Sequence, residues 1–564
     1  MPPFVLQAET AAVSAAAASS VKSDLSTRVM AQAGYTWSIR AYPAHVETVR
    51  MRHDRRPALE SLDLTRADYR RADFSAAAHR LEALLDAAPG LVDAALLLAR
   101  TELRRGDPSS ALSVLARHTR GAKRPAKGEA AMLKAVAFAR LGDDDSSRAQ
   151  FRAADSLLRD DDALRAELTY HLAASEWIER RLDRASKLLD RMPQKIGADL
   201  DLHVSILRGA IASANEHLPA QGAILLEALR RVRAGANVEV YLYAMLVTQI
   251  AALAVELPGS ELRDAAIAHV DTVPWTRDIG DLHFHAVRAI AWRHALEGDE
   301  FNAFRRLKQA LAAAGSDAWR VAALTDRAYL AAALGERRWA AQELRDAHEL
   351  ASTIDWNGVA GEEKLALPVL AQLFAPRDAS VAIGYVTTFG SVGKNFPRIL
   401  SSRRDRRVQA LEAYSLGKVQ LALGEVEEAR RLLANAWTIY ERLGIEWRAA
   451  RAALALADID ESHDWRERAT AALTAYPRSW LVRRPGEQHT AAPLAAAPET
   501  ANLTAAQRVV FDLLLEGRGT EEIARTLGRS AFTVRNHIKA IFKAYGVSSR
   551  SALIVKATRG TSQT

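Results

Sequence analysis

The sequence contains no cysteine, few aromatic residues and no long apolar run. Without cysteine there is no disulfide, no thiolate nucleophile and no cysteine-ligated zinc or iron–sulfur cluster. An uninterrupted apolar stretch of about 18 residues is missing as well, so we expect no membrane span. The first 20 residues are rich in alanine but lack a basic leader before an apolar run, which makes them a poor secretory signal. We therefore expect a cytoplasmic protein.

Strand signals are also scarce, because alternating patterns are rare and β-branched runs are short. Alanine, leucine and arginine dominate, and they favour helices. The 564 residues exceed what one hydrophobic core supports. We predict an all-α protein with an N-terminal segment (1–54), a helical-repeat region (55–482), a linker rich in proline and alanine (483–502) and a C-terminal domain (503–564).

Five stretches of the helical region share one pattern, in which an apolar helix is followed by a Gly–acid pair and a second helix. The pairs are Gly106-Asp107, Gly142-Asp143, Gly298-Asp299, Gly335-Glu336 and Gly424-Glu425. Glycine adopts the left-handed conformation that ends the first helix. The acidic side chain favours the positive end of the second helix. The pattern predicts helix–turn–helix hairpins.

Small residues recur on the second helix of these hairpins and would let the two helices approach closely. They are Ala111, Ala303, Ala340 and Ala429. Successive turn glycines lie 36 residues apart from Gly106 to Gly142 and 37 apart from Gly298 to Gly335. This arrangement resembles tetratricopeptide (TPR) repeats, whose unit is about 34 residues, although the full TPR consensus is absent. An irregular helical domain is the alternative.

Residues 378–404 interrupt this pattern, and we expect an extended excursion or a loop there. They include "TTFGSVGKNF", the nearest approach to a P-loop. Thr388 stands where that motif requires glycine, and Asn395 stands where it requires Ser or Thr. We therefore expect no ATP-binding module.

Other candidate sites in the helical region are weak. His283, His285 and His294 do not share a helix face with an acidic partner, so we interpret them as structural. The tryptophans Trp177, Trp292, Trp319, Trp339 and Trp437 are expected in the core rather than in a ligand cage. No convergent nucleophile–base pair is found, and we predict neither an enzyme nor a bound cofactor.

Positive charge is concentrated at the C-terminus. From Leu503 to Thr564 there are ten Lys or Arg and four Asp or Glu, a net charge of +6, which leaves +2 of the total +8 for everything before Leu503. A nearly neutral body with a basic C-terminal domain indicates a polyanionic partner for that domain.

Four helices are predicted in the C-terminal domain. Thr504 and Gln507 form a capping box at the start of the first helix. Thr520 is expected to cap a short second helix, and Ser530 to cap the third. The third helix carries one apolar stripe formed by Val534, Ile538, Ile541, Phe542 and Tyr545. Arg535, Asn536 and Lys539 fall on the opposite side, where they could bond base edges in a major groove.

The C-terminal domain resembles the LuxR/NarL-type DNA-binding domain. Ordered markers of that family include Glu522-Ile523-Ala524, Thr533-Val534-Arg535-Asn536-His537 and Gly546-Val547. The resemblance implies a helix-turn-helix domain of four helices without a wing. Departures from the family pattern are Ala505-Ala506-Gln507 for the usual Pro-Arg-Glu, Tyr545 for Leu and Arg535 for Lys.

The resemblance also implies roles for single residues. Arg535, Asn536 and Lys539 would face base edges. The residues near phosphates would be Thr533, His537, Lys543 and Arg550. The fourth helix, Ser549–Thr558, would carry the dimer contact.

We therefore predict a sequence-specific transcription regulator that binds double-stranded DNA, as a homodimer, through its C-terminal domain. The helical region would receive a protein or small-molecule effector. The alternative is a TPR-type adaptor that binds a protein partner and is tethered by its basic C-terminal domain.

Overall fold

The computed structural model describes residues 56–359, 363–391, 405–483, 503–515, 518–527, 530–547 and 553. All regular structure in these residues is helical, which confirms the all-α prediction. The N-terminal segment 1–54 and all but the first residue of the linker 483–502 lie outside the described residues.

Consecutive helices of residues 56–483 pack side by side around short turns. They are α1 (Arg56–Arg70), α2 (Phe74–Ala87), α3 (Val92–Arg105), α4 (Pro108–His118), α5 (Arg124–Leu141), α6 (Asp144–Leu157), α7 (Asp162–Ile178), α8 (Leu182–Asp190), α9 (Ala198–Ala214), α10 (Leu218–Arg233), α11 (Val240–Glu256), α12 (Ser260–Val270), α13 (Gly280–Leu296), α14 (Glu300–Ala313), α15 (Asp317–Ala333), α16 (Arg337–Ser352), α17 (Ala366–Phe374), α18 (Ala379–Ser391), α19 (Arg406–Ala422), α20 (Val426–Arg442), α21 (Glu446–Asp460), α22 (His463–Ala472) and α23 (Trp480–Arg483).

The five predicted hairpins are present and share one turn. Each turn glycine has a positive φ, between 76° at Gly298 and 82° at Gly424. In the first hairpin, the amide of Gly106 donates to Leu103 O at 3.1 Å, and that of Asp107 donates to Glu102 O at 2.8 Å. The equivalent two bonds close the other four turns. They satisfy carbonyls that a helix end would otherwise leave unpaired.

Three further hairpins use the same turn without glycine. Ala72, Arg180 and Glu216 have φ values of 59°, 60° and 65°, and the residue after each donates to the carbonyl five positions back. They join α1 to α2, α7 to α8 and α9 to α10. The TPR-like array of helical hairpins is therefore longer than the glycine pattern alone predicts.

Small residues allow the helices of a hairpin to approach closely, as predicted. Ala111, Ala303, Ala340 and Ala429 are all buried. Gly417 on α19 also marks a close approach, because a Cβ atom built there would lie 2.9 Å from Leu433 Cγ and 3.3 Å from Ala429 O.

The acidic residues of the turns divide into two groups. Asp107 Oδ1 accepts the amide of Ser110 at 2.8 Å, and Asp143 and Asp299 cap their helices in the same way. Glu336 and Glu425 occupy the same position without a side-chain cap bond. The extra methylene of glutamate places its carboxylate beyond the geometry that a cap requires.

The expectation of an extended excursion or loop in residues 378–404 is wrong for residues 379–391, which form helix α18. Asp378 Oδ1 accepts the amides of Ser380 and Val381 at 3.0 and 3.1 Å. Ala382 is fully buried in a cluster with residues of α17 and α19. Tertiary packing therefore overrides the weak helix propensity of this β-branched sequence. Residues 392–404 lie outside the described residues.

The hydrophobic core has two forms along the body. Residues from Leu62 to Ile211 bury mainly small separate clusters, each shared by neighbouring hairpins. Most of the described buried residues between Leu202 and Leu481 form one large cluster, which Tyr69 and Phe74 also join. The N-terminal half is thus a serial array, whereas the C-terminal half is one compact block.

Contacts between residues far apart in the sequence hold this block together. Trp447 Nε1 donates to Val255 O at 2.8 Å. The guanidinium of Arg448 pairs with buried Glu256 at 3.1 and 3.2 Å. The chain therefore folds back on itself, and helix α21 packs against the end of helix α11.

The tryptophans follow the prediction in part. Trp292, Trp319 and Trp339 are buried, whereas Trp177 and Trp437 are half-buried against the core clusters.

His285 is buried, with its ring 4.3 Å from that of Trp319. Within the described ranges, no group of three His, Cys, Asp or Glu is arranged to hold a metal ion. Over the same ranges, no helix has the length and apolarity needed to cross a membrane.

Candidate nucleic-acid interface

The C-terminal domain has a small core of its own. Its described helices are α24 (Ala505–Leu515), α25 (Thr520–Thr526) and α26 (Ala531–Tyr545). The buried residues are Val510, Leu514, Ile523, Ala524, Val534, Ile541 and Leu553. All five residues of the predicted apolar stripe, Val534, Ile538, Ile541, Phe542 and Tyr545, pack in or against this cluster. The cluster fixes the orientation of α26.

The predicted capping box opens α24. The amide of Gln507 donates to Thr504 Oγ1 at 3.3 Å, and the amide of Thr504 donates to Gln507 Oε1 at 3.0 Å. Gln507 therefore performs the reciprocal cap, although it lacks the negative charge of the glutamate that is usual in the family.

The prediction for the cap of α25 is wrong by one residue. Gly519 occupies the cap position, with φ −69° and ψ 159°, and Thr520 is the first residue of the helix. Glycine is tolerated there because the extended conformation suits it. Glu521 and Glu522 lie in the first turn, where negative charge interacts favourably with the helix dipole.

Helix α26 is bounded as predicted. Ser530 Oγ accepts the amide of Thr533 at 3.1 Å, and Gly546 ends the helix with φ 59°. The amide of Val547 then donates to Phe542 O at 2.9 Å. Both ends are closed by local hydrogen bonds, so the helix is a defined rod of 15 residues.

The two faces of α26 separate cleanly. The stripe from Val534 to Tyr545 packs on the domain core, with Val534 and Ile541 fully buried. Arg535, Asn536 and Lys539 are all exposed on the other side. The helix therefore presents one surface that carries two basic side chains and one amide side chain. The buried stripe sets the direction in which this surface faces.

The remaining predicted site residues occupy the edges of this surface. Lys543 is exposed, one helical turn beyond Lys539, and Thr533 and His537 are half-buried. Arg550 lies outside the described residues, as does most of the predicted fourth helix, Ser549–Thr558. The structure brings six of the seven predicted residues onto one helix.

Local contacts restrain two of these side chains. Arg535 Nε donates to Ala531 O at 3.3 Å, which uses one of its five N–H donors. The hydroxyls of Thr533 and Ser530 lie 2.9 Å apart. Both contacts hold side chains near the N-terminal turn of α26, the end that enters the groove in helix-turn-helix proteins.

Tyr545, one of the departures from the family pattern, has a structural explanation. Its ring stacks on Phe511 of α24, with centroids 5.1 Å apart and an interplanar angle of 11°. Such stacking adds to the hydrophobic contact between the two helices. The substitution of tyrosine for leucine is thus absorbed in the core, away from the exposed face.

The distribution of acidic residues in the domain is a further signal for a DNA partner, one that the residue motifs do not contain. Glu522 is the last acidic residue in the sequence. All of α26 and everything after it therefore carry only basic or neutral side chains. A run without carboxylates reduces repulsion of a phosphate backbone.

Comparison with known proteins agrees with this geometry. Residues 501–557 match the family described as "Bacterial regulatory proteins, luxR family". The spore germination protein GerE of Bacillus subtilis (strain 168) is 44% identical over 57 residues, which cover 10% of this chain and 77% of GerE.

The body has a distant likeness among solved structures. The crystal structure of the APC/C hetero-tetramer Cut9-Hcn1 is 12% identical and covers 73% of this chain and 96% of that one, with a TM-score of 0.24. A TM-score this low carries no argument, and the TPR-like architecture rests on the helices themselves. The family match and the GerE similarity, on a domain built as described, show that the chain belongs to the LuxR family of bacterial regulatory proteins and is a DNA-binding transcription regulator.

Proposed function

We propose that the protein recognises specific duplex DNA sequences through α26, with Arg535, Asn536 and Lys539 contacting base edges in the major groove. The observation that supports this most directly is the exposure of these three side chains opposite a fully buried apolar stripe. Arginine and lysine pair with guanine O6 and N7, and asparagine pairs with adenine N6 and N7.

Phosphate contacts would fix the register of α26 in the groove. Lys543 supplies a charge, and Thr533 and His537 supply hydrogen-bond donors at the edges of the same surface. Arg550 stays a prediction from the family resemblance. Contacts of this kind position a protein on DNA without reading its sequence.

A homodimer on DNA is part of the proposal. The predicted fourth helix, Ser549–Thr558, would form the dimer contact. Two recognition helices would then lie about 34 Å apart, one turn of DNA. The helical-repeat region would receive the effector that adjusts DNA binding.

The first test uses single substitutions in the full-length protein. A target duplex is selected from a random-sequence pool, and its affinity is measured by gel-shift titration. We expect Lys539→Ala to weaken binding by about 1–3 kcal/mol and to relax one base position. Arg535→Ala should act similarly at a different position. Unchanged affinity in both variants would contradict the proposed docking.

Arg508→Ala is the matched control, since it removes the same charge from the same domain. Arg508 is exposed on α24, two residues before Val510, which is buried against the core. It thus projects from the side of α24 that faces away from α26. We expect this variant to bind the selected duplex as the unmodified protein does.

Salt dependence tests the phosphate contacts, and comparing the selected duplex with a duplex of unrelated sequence separates DNA recognition from the adaptor alternative. The logarithm of the affinity should fall linearly with the logarithm of salt concentration, with nearly one unit of slope for each phosphate contact. Lys543→Ala should reduce this slope by about one unit for all sequences. A protein that merely associates with DNA through diffuse charge would show the slope but no sequence preference.

A further inference from the structure

One stretch of the helical body carries positive charge without any carboxylate. From Pro108 to Gly128 there are five Lys or Arg and no Asp or Glu, whereas everything before Leu503 has a net charge of only +2. The five residues surround the connection between α4 and α5, and we call them the basic turn. They are Arg117, Arg120, Lys123, Arg124 and Lys127.

All five side chains of the basic turn are exposed. Arg124 pairs with Asp160 at 3.2 Å and donates to Ser156 O at 3.3 Å. The other four make no side-chain hydrogen bond or ion pair with any residue that the structure describes. Arginines of the neighbouring helices, such as Arg100 and Arg148, do pair with carboxylates. The basic turn is therefore unusual in leaving its charges unpaired.

Helix stability does not explain the charges at the start of α5. Lys123 is the N-cap residue and Arg124 opens the helix, with no acidic residue in the first turn. The N-terminus is the positive end of a helix dipole, so basic side chains there are unfavourable. The next two helices, α6 and α7, instead begin after the capping aspartates Asp143 and Asp161. A cost in stability at this turn indicates a role outside folding.

The backbone that carries these residues is firmly held. Thr119 is buried, and its hydroxyl donates to Leu115 O. The amide of Ala122 donates to Thr119 O at 3.1 Å. Gly128 packs against the next connection, since a Cβ atom built there would lie 2.5 Å from Leu158 Cδ2. The charges are therefore presented from a fixed turn, and little backbone freedom is lost when a partner binds.

Carboxylates on the α4 side of the turn balance Arg117 in part. Glu82, Glu102 and Asp107 line a shallow groove together with Arg117. Of these, Glu102 pairs with Arg105, and Asp107 caps α4. The residues from 120 to 127 lie outside this groove, so they contribute most of the positive potential of the surface.

The chemistry of the surface fits a polyanion better than a protein partner. None of the large apolar side chains that are exposed in the described residues belongs to α4 or to the first two turns of α5. Protein interfaces bury apolar and aromatic side chains at their centre. Duplex DNA instead presents one negative charge about every 1.7 Å along its axis, and contacts to phosphates need no base edge.

The C-terminal domain brings DNA close to the body. It matches a family of DNA-binding regulators, and the predicted linker, residues 483–502, joins it to the body. A chain of that length spans at most about 70 Å, which is about 20 base pairs of DNA. The DNA beside the site bound by α26 thus comes within reach of the body, and tethering raises its effective concentration.

We propose that the basic turn binds the phosphate backbone of duplex DNA that flanks the site bound by the C-terminal domain. Arg120, Lys123 and Lys127 supply the contacts. Because phosphates carry no sequence information, this second contact would be independent of base sequence and would orient the body on the DNA. It rests on DNA binding by the C-terminal domain, whichever side chains of α26 read the bases.

The test compares two duplexes in gel-shift titrations of the full-length protein. The short duplex contains only the selected target, and the long duplex adds about 30 base pairs of arbitrary sequence on each side, more than the linker can span. The logarithm of the affinity should fall more steeply with the logarithm of salt concentration on the long duplex, by about two to three units of slope. Equal slopes on the two duplexes would overturn the proposal.

A triple variant assigns the additional slope to the basic turn. Arg120→Gln, Lys123→Gln and Lys127→Gln, combined in one protein, should abolish the difference between the duplexes and leave affinity for the short duplex unchanged. These side chains are exposed, so the variant should fold. An additional slope that survives in this variant would overturn the proposal.

The matched control removes three positive charges from the compact block. Arg277→Gln, Arg305→Gln and Arg338→Gln replace exposed residues there, and this variant should keep the additional slope. If both triple variants lost it equally, diffuse charge on the body would be responsible, and the assignment to the basic turn would be wrong.

Failure of base recognition would be seen separately. If no target is enriched from the random pool, short and long duplexes of arbitrary sequence are compared instead, because the number of available sites changes the affinity but not the salt slope. A steeper slope on the long duplex would then support the basic turn and contradict only the proposed reading of bases.

Two further outcomes count against the basic turn alone. One is a selected target that binds with equal slopes on both duplexes. The other is binding to anionic phospholipid vesicles that the triple variant loses while its DNA binding stays unchanged, which would assign this surface to lipid headgroups.

Discussion

Gly417 lies at the point where α19 and α20 approach most closely, and its lack of a side chain is a packing requirement. In Gly417→Ala the new methyl group would meet Leu433 Cγ at 2.9 Å. The gain in helix propensity, about 1 kcal/mol, would be outweighed by the clash. We expect a net destabilisation of about 1–3 kcal/mol, measured as the urea-induced unfolding free energy.

Gly384 provides the opposite case for the same experiment. It lies within α18, is exposed, and has no atom within 4 Å of an added Cβ. Gly384→Ala should therefore stabilise the protein by up to about 1 kcal/mol, because alanine loses less backbone freedom on folding. A stabilising effect in both variants would show that packing at Gly417 is looser than the structure indicates.

The exposure of single residues on the proposed DNA-binding surface is predictable from the sequence, whereas the contact between Arg104 and Glu239 is not. Arg535, Asn536 and Lys539 are placed by a local helical period, which five apolar positions spaced at i, i+4, i+7, i+8 and i+11 determine. Arg104 and Glu239 are 135 positions apart, and only the stacking of successive hairpins brings them together. No local pattern encodes that contact.

At the level of the helices, the caps predict that the hairpins differ in stability. Aspartate bonds the amide of the third helical residue, and glutamate at the same position does not. We expect Glu425→Asp to stabilise the protein by about 0.5–1 kcal/mol and Asp107→Glu to destabilise it by a similar amount. Thermal unfolding of both variants measures this, and a stabilising Asp107→Glu would contradict the explanation.

Helices were predicted well where the sequence supplied a turn signal. Glycine marked five hairpins correctly, but the turns at Ala72, Arg180 and Glu216 were missed because residues with side chains adopt the left-handed conformation there. That conformation costs such residues free energy, and they adopt it only where the surrounding packing favours it. Helix α18 was missed for a related reason, since its burial beside α17 and α19 is a tertiary effect.

Over the whole molecule, the division of the core predicts uneven stability. The hairpins from Val92 to Ile178 share small clusters, whereas most of the described buried residues between Val240 and Asp460 belong to one large cluster. Local opening is easier where fewer apolar contacts are lost. We expect amide hydrogen exchange to be faster in the first range than in the second.

Arg448→Met offers a check on this division. It removes one member of the buried pair with Glu256, which typically costs about 3–5 kcal/mol. Exchange should accelerate throughout Val240–Asp460 and change little in Val92–Ile178. Uniform acceleration across both ranges would mean that the body is a single cooperative unit.

The domain boundaries predicted from the sequence stay predictions. The separate core of the C-terminal helices begins near Leu503, where the composition changes. The boundary of the linker, residues 483–502, stays a prediction. The two regimes of packing within residues 55–482 could not be foreseen, because they depend on contacts such as that of Trp447 with Val255, 192 positions apart.

Arg104 connects these two regimes. Its guanidinium donates to His203 Nε2 on α9 at 3.0 Å and also stacks 4.4 Å above the ring of Tyr241, which belongs to the large cluster. This one side chain therefore couples the helices of the serial array to the compact block, so that its removal would let the two parts of the body open more independently of each other.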